Sequence, residues 1–334
     1  MFNIKDLELK KIDHLGIVAG IVDSIGIVEI INNLLGSEPE EKVSAGQVVK
    51  AMILNGLSMM SQPLYMFPTF FELIACEHLI GVGVKPEYLN DDKLGRVLDK
   101  LFIKGLDTVF LAVSLNTVEI YQISLSSSHL DSTSFHVDGE YENSLPANIE
   151  ITEKTPNIKE ENKSKYYQIS ATVDENKDVI EQEMVSAGRF IIARNVLCEK
   201  ELSNEKMLSE YKAQQSCERG FSFLKNPLFL ADSIFLKSPE RIEALAMIMG
   251  LCLLVYTLAQ REIRAALKSL NYTVKNQLGK AINNPTMRWI FQCFQSVHLV
   301  TFQEKREFYN LTSEMKYILL FLPEACRNYY RYIS

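Results

Sequence analysis

Apolar positions in the first third of the chain recur at helical spacing. Residues 15–35 are largely apolar, and Gly26 within them reads as a break between two short helices. Ser44-Ala-Gly-Gln47 fits a capping box, in which the Ser and Gln side chains reciprocally satisfy free backbone N–H groups, so a helix over 48–57 is expected to follow. Pro68 suits the first turn of a helix ahead of FFELIACEHLIG, where its missing N–H costs no helical hydrogen bond. Asp91 and Asp92 can cap the next helix, on which Leu94, Val97, Leu98 and Leu101 share one face. Residues 106–121 give a further helix. No strand pattern is visible in this stretch, so residues 1–122 read as a helical domain.

The pattern then changes. SSSHLDSTSFHV, 126–137, is rich in β-formers and roughly alternating, which predicts a strand. Residues 142–165 are polar and charged and read as a linker. Strands fit YYQISATV (166–173), DVIEQEMV (178–185) and GRFIIARNV (188–196), with DENK as the turn between the first two. Helices resume at Ser203, capped by Ser203 or Asn204, with Glu205 favourable in a first turn that leads to about Leu224. Ser238-Pro239-Glu240 opens a long buried helix over 241–267, and further helices are expected around 285–294 and 313–322. The middle of the chain is thus α/β, enclosed by helices, and the whole is α+β and α-rich.

Composition narrows the class. The 334 residues are 47% hydrophobic and 10% aromatic, enough for a sizeable core and too apolar for a disordered chain. The six cysteines form no C-x-x-C pair, so zinc-finger and thioredoxin-like signatures are missing. Scattered single cysteines fit a reducing cytosol. The N-terminus MFNIKDLELK is charged and lacks the apolar region of a signal peptide. The longest uncharged apolar stretch, 244–259, falls short of the ~20 residues that cross a bilayer and reads as a core helix. The expectation is a cytoplasmic protein without a membrane partner. Formal charge is −7, unevenly spread: 18 Lys+Arg against 30 Asp+Glu over 1–200, then 17 against 12 over 201–334. A surface that grips nucleic acid would use the second part.

Two features could carry chemistry. Asp131 sits in the middle of the β-rich HLDSTSF, where Asp is disfavoured unless a partner such as a metal holds it or it lies on an exposed edge. In YKAQQSCERGFSFLK, residues Tyr211, Gln214, Glu218 and Lys225 fall at about 0°, −60°, −20° and −40° around a helix and form one stripe. A phenol, an amide, a carboxylate and an ammonium suit either a solvated face or a surface that meets phosphate and metal. Other groups are weaker. His14, His78, His129, His136 and His298 are dispersed and read as structural; Cys217 has no evident base; Trp289 reads as core. No P-loop or dinucleotide-binding glycine pattern occurs.

Tyr211-x2-Gln214-x3-Glu218-x6-Lys225 resembles the Y-x2-R-x3-E-x6-K signature of bacterial insertion-sequence transposases of the D-D-E class. GRFIIARN, the stretch from YKAQQSCERGFSFLK to LCLLVY, and PTMRWIFQCFQ are similar to the end of the catalytic domain in one branch of that family. Residues 14–101, with QPLYMFP and LNDDKLGRVLDKLF, resemble the helical domain that precedes it, and HLDSTSF resembles the strand carrying the first catalytic Asp. The resemblance implies a helical N-terminal domain, 1–122, and an RNase H-like catalytic core with C-terminal helices, 123–334. It implies Asp131 and Glu218 as catalytic metal ligands for Mg²⁺ or Mn²⁺, two ions in the intact family. It implies Tyr211, Gln214 and Lys225 as DNA-binding residues. The partner would be double-stranded DNA at the terminal repeats of a mobile element, with a homodimer as the candidate assembly. The chemistry implied is metal-dependent phosphodiester cleavage and strand transfer.

This chain departs from the pattern in two places. Gln214 stands where the signature has Arg, which removes one charge from a phosphate contact. The strand that ends in the second catalytic Asp has no visible counterpart, and the linker 142–165 replaces a longer family region. Asp138 is at an odd offset from Asp131, Asp174 follows a strand at a hairpin turn, and Asp232 lies beyond Glu218. The core therefore reads as truncated, with cleavage impaired. The alternative is a non-catalytic DNA-binding or regulatory remnant.

Overall fold

Gly26, at φ 76°, takes the left-handed conformation that separates α1 (Leu15–Ile25) from α2 (Ile27–Leu35), as the sequence predicts. The computed structural model describes residues 7–36, 40–125, 198, 200, 202–213, 215, 220, 222–223, 226, 236, 238–302 and 305–331. Contacts divide the chain into two units, Met1–Tyr141 with Gln215–Ser334, and Glu142–Gln214. The first unit begins with a short strand, β1 (Leu7–Lys11), then α1, α2, α3 (Ala45–Gly56), α4 (Phe67–Glu72), α5 (Cys76–Ile80), α6 (Asp91–Lys104) and α7 (Leu106–Ile120). In the second unit the described helix is α8 (Asn204–Ala213). The first unit resumes with α9 (Pro239–Leu270), the hairpin β2 (Val274–Lys275) and β3 (Ala281–Ile282), and α10 (Met287–Cys293). It ends with the antiparallel pair β4 (His298–Phe302) and β5 (Lys305–Tyr309), α11 (Ser313–Leu319) and α12 (Glu324–Asn328).

Local chemistry sets several helix ends. The capping box is present: Gln47 N donates to Ser44 Oγ at 3.2 Å and Ser44 N donates to Gln47 Oε1 at 2.9 Å. The cap of α6 is Asn90, whose Oδ1 accepts from Lys93 N at 2.9 Å, rather than Asp91 or Asp92. Those two carboxylates occupy the first turn, where the helix dipole favours them. Thr286 and Thr312 cap α10 and α11 by the same kind of bond.

FFELIACEHLIG does not form the single helix that its spacing suggests. Lys11 N donates to Leu73 O and Ala75 N to Lys11 O, both at 2.9 Å. These bonds to β1 draw the backbone at 73–75 out of helical geometry and leave α4 and α5 as separate short helices. The N-terminal third also holds a strand, contrary to its helical pattern. β1 pairs antiparallel with β4, which pairs with β5, giving a sheet of order β1-β4-β5.

The core forms around α9. Its N-terminus follows Ser238 with Pro239 in the first turn, as expected. Leu245, Ile248, Leu251, Cys252, Val255, Leu258, Ile263 and Leu267 are among its buried residues. The helix packs against α1, α3, α6 and α7 from the N-terminal part of the chain and against α10. At 32 residues it is long and apolar enough to cross a membrane by length and composition, longer than its uncharged stretch suggests; 56% of its most apolar window is buried inside the protein. Where α9 begins, Arg241 Nε and Nη2 each donate to Asp99 of α6 at 2.7 Å, a two-pronged pair. Residues 1–122 therefore do not enclose a core of their own, because a helix from the C-terminal segment fills it. The strands expected over 126–137, 166–173, 178–185 and 188–196 lie outside the described residues. The described architecture is mixed α/β, dominated by helices with two small antiparallel sheets.

The C-terminal segment seats on α1 at Gly20. A Cβ added there would lie 2.3 Å from Cys326 Cα, so the backbones of α1 and α12 are in contact. Gly20→Ala is expected to force them apart and destabilise the protein by about 1–3 kcal/mol. Urea unfolding of the variant against the wild type checks this, and unchanged stability would contradict the packing.

Candidate functional site

Of the five residues that the transposase-like pattern singles out, the structure describes Tyr211. It lies on α8, whose first turn is capped by Ser203: Lys206 N donates to Ser203 Oγ at 3.2 Å. Tyr211 is 45% exposed, which suits a residue that meets a ligand from solvent. Asp131, Gln214, Glu218 and Lys225 lie outside the described residues, as do Asp138, Asp174, Cys217, Asp232, His129 and His136. Among the described residues no group of three or more His, Cys, Asp or Glu side chains could hold a metal.

The basic C-terminal segment has a definable surface. Lys275 ends β2 and Lys280 precedes β3, so the β2–β3 hairpin carries two exposed cations. Trp289 Nε1 donates to Lys275 O at 2.8 Å, which places α10 and its exposed Arg288 against the hairpin. Tyr317 Oη donates to Thr273 O at 3.2 Å, and its exposed neighbour Lys316 extends from α11 beside them. Tyr272, 52% exposed, and Tyr317 both pack on Phe321, with ring centroids at 5.6 and 5.0 Å. Basic side chains interleaved with aromatic rings are the chemistry of a nucleic-acid surface: cations meet phosphates and rings offer stacking faces. The pairing through Lys275 also explains why Trp289 is half-buried at the rim of the core rather than inside it.

Sequence reading missed a buried polar network nearby in the fold. Lys50 interrupts the apolar run of α3 and is 3% exposed. It donates to Asp23 Oδ1 at 2.5 Å and to Tyr329 Oη at 2.8 Å, and Tyr329 Oη also donates to Asp23. Burial lowers the Lys50 pKa, with the Asp23 carboxylate opposing. The network ties α1, α3 and the end of α12 together. The sequence signal for it was a lone cation inside VVKAMIL, which a buried helix tolerates only with an acidic partner.

The described histidines act structurally, as expected. His14 Nε2 donates to Leu57 O at 2.7 Å, and its ring stacks on Phe291 at 4.2 Å. His78 Nε2 donates to Tyr329 O at 2.9 Å and His298 Nδ1 to Ser296 O at 2.9 Å. With Nε2 carrying the proton, His14 Nδ1 is a bare acceptor, buried and without a hydrogen-bond partner. Burial pushes the His14 pKa down to about 4. The buried thiols of Cys76, Cys252 and Cys326 are pushed up by burial, Cys76 to about 12, which makes them poor nucleophiles.

Residues 7–115 match a family described as a domain of unknown function, DUF4277. The match covers β1 through most of α7 and so includes the N-terminal helices α1, α3, α6 and α7 that pack on α9. No curated protein matches the chain. No solved structure matches it.

His14 gives this part of the molecule a pH dependence. Its folded pKa of about 4 lies below the unfolded 6.5, so between those values the unfolded chain binds a proton that the folded protein does not. The His14 contribution to stability is complete above pH 6.5 and falls by roughly 3 kcal/mol as the pH drops to 4. Denaturant titrations at pH 7 and pH 4 check this. His14→Gln should show a loss smaller by about that amount, and equal losses in both proteins would contradict it.

Proposed function

We propose that this chain derives from the D-D-E transposases of bacterial insertion sequences. It binds double-stranded DNA at the terminal repeats of its element, in the cytoplasm, and its strand cleavage is impaired. The observation that carries this reading is the sequence pattern Tyr211, Gln214, Glu218, Lys225, of which the described member, Tyr211, is 45% exposed. Two further observations support it. DUF4277 domains such as the one matched over 7–115 are commonly found in transposases. The Lys275, Lys280, Arg288 and Lys316 surface with its tyrosines provides phosphate and stacking contacts from the basic part of the chain.

In this reading the catalytic core has the RNase H-like fold, and Asp131 and Glu218 hold Mg²⁺ or Mn²⁺. Carboxylate oxygens are the hard donors such ions take, but two side chains are one short of the set that holds a metal pair. Bound metal would supply Lewis-acid stabilisation of the phosphodiester oxygens. Tyr211, Gln214 and Lys225 position the DNA backbone near the carboxylates; Gln214 does so by neutral hydrogen bonds where the family has a charge. Groups that act as a unit lose most of their rate when one is missing. The same missing carboxylate favours a second form of this reading, a DNA-binding remnant that occupies element ends and a homodimer partner without cutting.

The test combines binding and cleavage. Purified protein should retain end-sequence DNA over random DNA, with affinity for both falling steeply as salt rises. With Mg²⁺ or Mn²⁺ it should nick that DNA slowly or not at all. Robust cleavage abolished by Asp131→Asn would contradict the impaired core, and no preference for end DNA at any salt would contradict the reading as a whole.

A further inference from the structure

The turn between β2 and β3 carries an apolar side chain where turns usually place Asn, Asp, Ser or Gly. Asn276 N donates to Lys280 O at 2.8 Å and closes a three-residue loop, Gln277-Leu278-Gly279. Leu278 stands in the middle of that loop and is 79% exposed. The loop is fixed from within. Asn276 Oδ1 accepts from Leu278 N and from Lys280 N, both at 2.9 Å, and Gly279 N donates to Asn276 O at 2.9 Å. Gly279, at φ 73°, takes the left-handed conformation that such a loop needs at its last residue. The base of the hairpin is fixed too, by Trp289 Nε1 on Lys275 O and by Tyr317 Oη on Thr273 O. Leu278 is thus held out on a pre-ordered arm, which spares the ordering cost of meeting a partner.

Charge says what that partner is. Residues 263–303 contain Arg264, Lys268, Lys275, Lys280 and Arg288 and no Asp or Glu. Lys275 and Lys280 flank the loop in the chain, and both are exposed. Such a stretch suits a polyanion. An apolar tip between cations fits either an anionic lipid surface or a stack of bases. Membrane binding grows with the apolar area buried, and one leucine supplies little of it. A single base step takes one apolar wedge, and the exposed rings of Tyr272 and Tyr317 near the hairpin's base offer stacking faces.

We infer that the β2–β3 hairpin is a DNA wedge: Leu278 inserts between stacked base pairs while Lys275 and Lys280 hold phosphates beside it. The inference rests on the DNA-binding reading and adds to it the deformation of the duplex. Insertion kinks the helix axis, and a kinked duplex meets more of the surface that carries Arg288 and Lys316.

Two short duplexes of one sequence test it, one intact and one with a central abasic site, where a gap already stands in the stack. Fluorescence anisotropy measures the affinity of the full chain for each. The wild type should bind the abasic duplex about tenfold more tightly, because the unstacking that the wedge must otherwise drive is already done. Leu278→Ala, at a position outside the core, should lose that preference and keep its affinity for the intact duplex, which is electrostatic. Lys280→Gln should weaken both duplexes alike, lower the salt dependence and keep the preference. Equal affinity of the wild type for the two duplexes, or a preference that survives Leu278→Ala, would overturn the wedge and leave the DNA-binding reading standing. Binding of neither duplex at low salt would overturn both. Equal duplex affinities together with Leu278-dependent binding to phosphatidylserine vesicles would replace the wedge with a membrane-inserting tip.

Discussion

The described structure depends on the burial of one helix. α9 brings Leu245, Ile248, Leu251, Val255, Leu258 and Ile263 into a core whose walls are α1, α3, α6 and α7. Each fully buried aliphatic side chain contributes about 1.5–3 kcal/mol relative to exposure, more than an exposed ion pair contributes. Its position has a topological consequence. Elements from before residue 122 and after residue 238 must fold together. The Arg241–Asp99 pair, the Lys50–Asp23–Tyr329 network and the β1–β4 pairing make the same connection by polar means.

Much of the helical part was legible in the sequence, and the failures have physical causes. The Gly26 break, the Ser44 capping box and the apolar face of α6 are local effects, decided within a few residues, and they stand as read. β1 was not legible because LELKK has no β-branched residue and places its leucines outward; Leu7 and Leu9 are 50% and 53% exposed. Its pairing with β4, nearly three hundred positions away, is a tertiary event that no local pattern announces. The split between α4 and α5 follows from that same strand. The division at residue 122 separates two sequence textures, but not two cores, because periodicity reports which face of a helix is buried and is silent about what buries it.

The candidate sites were legible unevenly. The stripe from Tyr211 to Lys225 is a sequence object, recognisable by spacing and by its resemblance to a transposase signature; of its four residues the structure describes Tyr211, which is exposed. The basic surface around the β2–β3 hairpin was legible only as a charge imbalance; the Trp289 and Tyr317 bonds to Lys275 and Thr273 gather it. The setting of His14 left no trace in the sequence. The buried Nδ1 of His14 lacks a proton because the Leu57 carbonyl, forty-three positions on, holds that of the other nitrogen. Sites made by long-range hydrogen bonds belong to the fold, and sites made by one helix face belong to the sequence.

In the proposed reading, the carboxylates of Asp131 and Glu218 form a metal site that lacks a third member. Electron paramagnetic resonance of Mn²⁺ titrated into the purified protein tests it most directly. The account predicts one weak site per chain, lost in Asp131→Asn and in Glu218→Gln. Two ions held tightly, or a site that survives both substitutions, would contradict it.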